Sequence, residues 1–169
     1  MTFGQQVLAS FVGTVFGFIF AIFLFLITEV IKSHLGKKTL RKHINREFEY
    51  DISLLQEWID EIDKILRKIG ANDPQIFSYL RYTFFQRFFV QEAFRSGIMY
   101  NALNNEQISN LNTILLHFDT GIEQYLNGAI QQWKTGKQPQ QDALHQFEFE
   151  KEQLIKYQKH LRDILVILD

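Results

Sequence analysis

Hydrophobic and polar positions divide this chain into two regimes. Residues 7–27, VLASFVGTVFGFIFAIFLFLI, are 21 consecutive residues without a charge or a proline. As a helix rising about 1.5 Å per residue they reach about 31 Å, close to the roughly 30 Å of a bilayer's hydrocarbon core. Only a helix satisfies its own backbone groups within one such segment in lipid. The pattern therefore predicts one transmembrane helix within residues 1–31. Beyond Gly36, a possible flexible joint, the apolar positions take a helical period instead. Ile44, Phe48, Ile52, Leu55, Ile59, Ile62, Leu66 and Ile69 follow one another at intervals of four and three. That heptad-like seam predicts a helix over residues 37–69. Glu49, Asp51, Glu57, Asp60, Glu61 and Asp63 are expected on its polar face, with Gly70 as the left-handed residue closing it.

Three further helices are expected. Asp73-Pro74 supplies an N-cap and a first-turn proline for a helix to about residue 103, kinked at Ser96-Gly97. Asn104 and Asn105 break that helix and cap the next, over residues 106–133, with Glu106 and Gln107 in its first turn. The linker TGKQPQQ separates it from a last helix over residues 142–168. Nothing alternates with period two for long. The expected fold is all-α: an N-terminal transmembrane helix at 1–31, a neck at 32–46, and a cytosolic domain at 47–169 that is a bundle of about four helices joined up and down.

Charge sharpens this division. The net charge of −1 averages opposite parts. Residues 32–46 carry six basic side chains and no acidic one: Lys32, Lys37, Lys38, Arg41, Lys42 and Arg46. With Glu29 the single charge before them, residues 47–169 sum to −6. A basic flank after an uncharged N-terminus places the large domain in the cytoplasm and the N-terminus outside. The neck reads as an orientation signal and a contact for lipid headgroups rather than for DNA. A cleaved signal peptide is not expected, because no basic segment precedes the run and the run is long. With no cysteine, thiolate and disulfide chemistry are excluded.

Within the apolar run, Ala9, Gly13, Gly17 and Ala21 recur every fourth residue and so share one face. Such a ribbon lets helix backbones approach in lipid, although small residues are common in any membrane helix. It predicts a homo-oligomer, a tetramer being favoured, held also by the seam from residue 48 to 69.

Candidate chemistry is sparse. His34, His43, His117, His145 and His160 fall in no HExxH or zinc spacing. No phosphate loop, GxSxG or dinucleotide fingerprint is present, so neither an enzyme, a cofactor nor a metal is expected. Asp142 near His145 is explained by helix capping. The aromatic stretch of residues 77–95 says more. On one helix, Phe77, Arg81, Phe84, Phe88 and Arg95 fall in one arc of roughly 60°. Arginines on an apolar face either pack their stems, pair with an acid such as Glu92 or Asp119, or bind an anion. In the last case Arg81, Arg87 and Arg95 would grip phosphate, Tyr79, Tyr82, Tyr100 and Asn101 would contact a base, and the turn at Asn104 and Asn105 would add amide donors.

The layout resembles the small CRISPR-associated membrane effectors of type III systems. The apolar run, the neck KSHLGKKTLRKHINR and the stretch YLRYTFFQRFFVQEAFRSG carry the likeness. The resemblance implies an antiviral effector of the bacterial inner membrane, not an enzyme. Its cytosolic domain would bind a cyclic oligoadenylate of the tetra-adenylate type, and the oligomer would then open a pore or perturb the bilayer. The strand–helix pattern of the commonest CRISPR sensor domain is absent, so such a site would be built on helices shared between subunits. The alternative is a membrane-tethered helical scaffold that docks a protein partner without a small ligand.

Overall fold

The computed structural model describes the backbone of residues 3–76, 79–118 and 120–168, and within these the side chains of all but residues 3–17, 19, 32–34 and 120. The elements are α1 (Phe3–Gly70), a 3-10 turn (Tyr82–Phe84), α2 (Phe88–Arg95), α3 (Ile98–Ala102), α4 (Asn105–His117), α5 (Thr120–Lys134) and α6 (Gln140–Leu168). The chain is all-α, and among the described residues there is no strand. Two compact units, residues 1–40 and 41–169, divide it within α1.

In the first unit every residue from 20 to 31 is exposed. The Thr28 hydroxyl donates to the Leu24 carbonyl at 2.8 Å, folding its polarity into the helix. Gly36 is helical, so the expected joint is not a break. Among the described residues no helix is long and apolar enough to cross a membrane. The span expected at residues 7–27 falls largely outside that description, since the side chains of 7–17 and 19 are not part of it.

The second unit holds the core. Ile44, Phe48, Leu55, Ile59, Ile62 and Ile69 are buried as their spacing predicts, and Leu54, Trp58 and Ile65 widen the stripe. The width reflects neighbours on two sides of α1. On one side α6 runs antiparallel. Gln140 Nε2 donates to the Ile69 carbonyl at 2.6 Å, Lys151 Nζ meets Asp63 Oδ1 at 2.6 Å, and Gln158 Nε2 reaches the Ile52 carbonyl at 3.1 Å. The first of these supplies a donor to the open C-terminus of α1. That terminus closes as a Schellman motif, with Asn72 donating to Ile69 and Asp73 to Lys68. Its left-handed residue is Asn72, at φ 53°, and not the expected Gly70.

The helix expected over residues 73–103 does not form. Residues 79–81 and 85–87 are irregular on either side of the 3-10 turn, with Phe85 extended (φ −60°, ψ 122°), and only α2 and α3 are α-helical. From residue 79 to 83 exposed and buried residues alternate, the period of an extended chain. Tyr79, Tyr82, Thr83, Phe84 and Phe85, of low helix propensity, outnumber Leu80, Arg81, Gln86 and Arg87 over residues 79–87. An extended segment outside a sheet has unpaired backbone groups, and here side chains pair them. Asn127 accepts from Leu80 N at 3.1 Å and donates to Leu80 O at 3.0 Å, taking the place of a neighbouring strand. Glu123 accepts from Thr83 N, and Asp51 accepts from Gln86 N at 2.8 Å. Glu47 accepts from Phe89 N and Val90 N at 2.8 and 3.0 Å, a carboxylate at the N-terminus of α2. Asp51 is therefore core, not part of the expected polar face.

The helix expected over residues 106–133 is two helices, α4 and α5, broken after His117. Both pack on α6. The bundle is thus the second part of α1 with α4, α5 and α6, crossed by the segment of residues 73–103.

Candidate functional site

The arginine surface is not assembled on one face, because the helix that would have aligned it is absent. Arg81 sits in non-helical backbone (φ −127°, ψ 82°) and is exposed. Arg87 is half-buried, its Nη1 donating to the Leu115 carbonyl at 3.4 Å near the end of α4. Arg95 meets Glu92 at 3.6 Å in an open surface pair, one of the partners expected for it; Asp119 and Phe77 lie outside the described residues. Tyr79, Tyr100 and Asn101 are exposed, Tyr100 edge-on to Phe94. Tyr82 is not available to a base: it is 1% exposed, and its hydroxyl donates to Glu150 at 2.8 Å. Asn104 and Gln107 form a reciprocal capping box that satisfies the backbone amides of those two residues, while Asn105 follows exposed.

The other expected sites are placed as follows. Lys37, Lys38, Arg41, Lys42 and Arg46 are all exposed, and the side chain of Lys32 is outside the description. Ala21 is exposed; Ala9, Gly13 and Gly17 are outside the described side chains. Most of the seam from residue 48 to 69 is buried within the second unit of the same chain.

What the fold does assemble is a polar centre inside an aromatic one. Phe118, where α4 ends, stacks on Phe85 with centroids 4.2 Å apart and meets Trp58 and Tyr82 at 5.4 Å each. Into this cluster α6 projects Glu150, 2% exposed. Its Oε1 accepts from Tyr82 and lies 2.9 Å from His117 Nε2. The His117 ring is edge-on to Tyr157 at 4.9 Å. Burial, and then the Glu150 carboxylate, hold the Tyr82 phenol far above its ordinary range, so it stays a donor. Tyr157 is raised for the same two reasons.

His117, Glu150 and Tyr157 line a cavity of about 490 Å³ between the end of α4, α5 and α6. Ile122 and Leu126 of α5 are its apolar wall, and His145 and Phe149 of α6 stand on another side. Tyr125 of α5 also lines it, its hydroxyl accepting from Gln146 Nε2 at 2.8 Å. A base, an orienting carboxylate and phenols are present, while no serine, threonine or cysteine is among the lining residues. Sequence spacing pointed to Asp142 for His145. The carboxylate that meets a histidine is Glu150, and it meets His117, 33 residues earlier. Only the fall of Glu150 on the Phe147–Leu154 face of α6 hinted at it.

Compared with protein-family models, curated proteins and solved structures, the chain has no match.

Proposed function

We propose that this chain is a single-span membrane protein that acts by binding, with residues 41–169 displayed at the cytoplasmic face and copies associating through the membrane segment. The observation that carries this reading is the unbroken exposure of residues 20–31, among them Phe20, Phe23, Phe25 and Val30. A helix apolar on every side needs lipid or another helix around it. The basic residues that follow set its orientation.

The aromatic segment supports a docking role for the domain. Tyr79, Phe84, Phe88 and Tyr100 are each more than half exposed, with Arg81 and Arg95 among them. Tyrosine, phenylalanine and arginine are the residues enriched where proteins meet. A phosphate-bearing messenger is less well supported, because the arginines that would grip it stand on separate elements.

The test combines topology with assembly. Reporter fusions at each end should report the C-terminus inside and the N-terminus outside, and crosslinking in native membranes should trap oligomers that Gly17→Leu reduces. A monomer in membranes, or a C-terminus outside, would overturn the proposal. Calorimetry with cyclic tetra-adenylate should give no heat; tight binding, lost in Arg81→Gln and Arg95→Gln, would restore the messenger reading instead.

A further inference from the structure

We propose that the cavity between α4, α5 and α6 is a receptor for a small organic cation: an ammonium or amidinium group on a flat apolar body. The cation's counter-charge is Glu150, which lines the cavity and is 2% exposed. Both of its hydrogen bonds, from Tyr82 and His117, fall on Oε1; among the described residues none falls on Oε2. Oε2 is not one of the buried unpartnered atoms, so it is the oxygen open to the cavity, and a carboxylate this little exposed gains from a counter-charge there. The lining provides neither a lysine nor an arginine; His117 already gives its Nε2 to Oε1 and balances the charge only when protonated.

The walls suit the rest of such a ligand. Tyr125, Phe149 and Tyr157 bring aromatic rings to the cavity, and ring faces attract cations. The Gln146 bond to the Tyr125 hydroxyl fixes one of these rings in place. Ile122 and Leu126 offer apolar surface for the body of the molecule. A volume of about 490 Å³ is that of a small-molecule site. The same carboxylate repels phosphate, so the cavity selects against an oligoadenylate. This inference does not depend on the membrane reading.

The experiment is calorimetric titration of the full chain in zwitterionic detergent with benzamidinium, its neutral isostere benzamide, and benzoate. Benzamidinium should saturate one site, benzamide should bind at least tenfold more weakly, and benzoate should give no heat. Glu150→Gln keeps an acceptor for Tyr82 and His117 but removes the charge, and should weaken benzamidinium at least tenfold. Tyr125→Ala, at a largely exposed position, should weaken it severalfold. Equal binding of benzamidinium and benzamide, or undiminished binding by Glu150→Gln, would overturn the proposal. So would the absence of any heat with benzamidinium. If Glu150→Gln does not fold, the ratio of benzamidinium to benzamide on the native chain decides alone. Tighter binding of N-acetyl-arginine amide than of benzamidinium would overturn the small-molecule assignment and give the site to a partner's arginine.

Discussion

Asp51 holds the least comfortable position in the molecule. It is fully buried, its Oδ1 accepts from Gln86 N, and its Oδ2 has no hydrogen-bond partner. Burial raises its pKa from the ordinary 3.8 to about 8; the Gln86 bond opposes the shift and the nearby Glu47 adds to it. The sign for stability follows. Between those two values the folded chain keeps a proton that the unfolded chain has released, so folding weakens as pH rises through this window. The contribution is fully present below the unfolded value and is lost by the time the folded group ionises. Denaturant unfolding of the native chain should therefore show a fall in stability from pH 5 to pH 8.5 that Asp51→Asn largely removes. At pH 8.5 the variant should be the more stable by about 1–3 kcal/mol, the cost of a poorly partnered buried charge. Parallel curves for the two proteins would mean that Asp51 does not titrate in this range. The sequence placed Asp51 among surface acids because its helical phase borders the seam. Its partner is a backbone amide 35 residues on, and no local pattern carries that. The Asn104 cap was legible for the opposite reason: its partner, Gln107, lies within one turn.

At the scale of elements, local periodicity identified α1 and α6 because each repeats its stripe over several turns. It failed for residues 73–103, where a helical stripe of aromatics is present in the sequence but only residues 88–95 and 98–102 are α-helical. What decides is the set of side chains waiting on α1 and α5 to receive an extended backbone. Asn127 is the most specific of these, with one donor and one acceptor on the same residue, Leu80. Asn127→Asp preserves shape and the bond from Leu80 N, but turns an oxygen toward the Leu80 carbonyl. It should cost about 1–3 kcal/mol, and hydrogen exchange should quicken across residues 79–86 more than in α6. Uniform quickening would instead assign Asn127 to global stability. The break between α2 and α3 rests on Gly97, at φ 76°. No atom would crowd an added Cβ there, so Gly97→Ala isolates the backbone cost, about 1–2 kcal/mol in thermal or denaturant unfolding. A neutral substitution would show that the junction can relax to a right-handed turn. The cavity was hidden from sequence for a related reason. It needs the α4–α5 break to bring His117 to Glu150, and that break lies inside one apparently continuous stripe.

The whole molecule joins two compact parts, residues 1–40 and 41–169, to which the proposed membrane role assigns different solvents. Every buried apolar residue among those described lies between residues 44 and 168, so the described core belongs to the second unit. The first part has the opposite economy. Fifteen of the 21 residues at 7–27 are Val, Leu, Ile or Phe. At about 0.3–0.6 kcal/mol each for insertion, they favour the bilayer by roughly 5–9 kcal/mol, with no charge in the run to oppose it. Two linked outcomes follow. A fragment of residues 41–169 should purify without detergent and unfold in one cooperative transition, at a midpoint close to that of the same domain in the detergent-held full chain. The full chain should stay in the membrane pellet through alkaline carbonate and high salt, conditions that release proteins held by surface charge alone. Substituting Phe18, Phe20 and Phe23 with Lys should move it to the supernatant while the midpoint of the domain stays unchanged. A fragment that aggregates or melts without cooperativity would mean that the core depends on residues before 41. A full chain released by carbonate would mean that the apolar helix is covered by protein rather than lipid, and the self-association proposed here would then have to supply that cover.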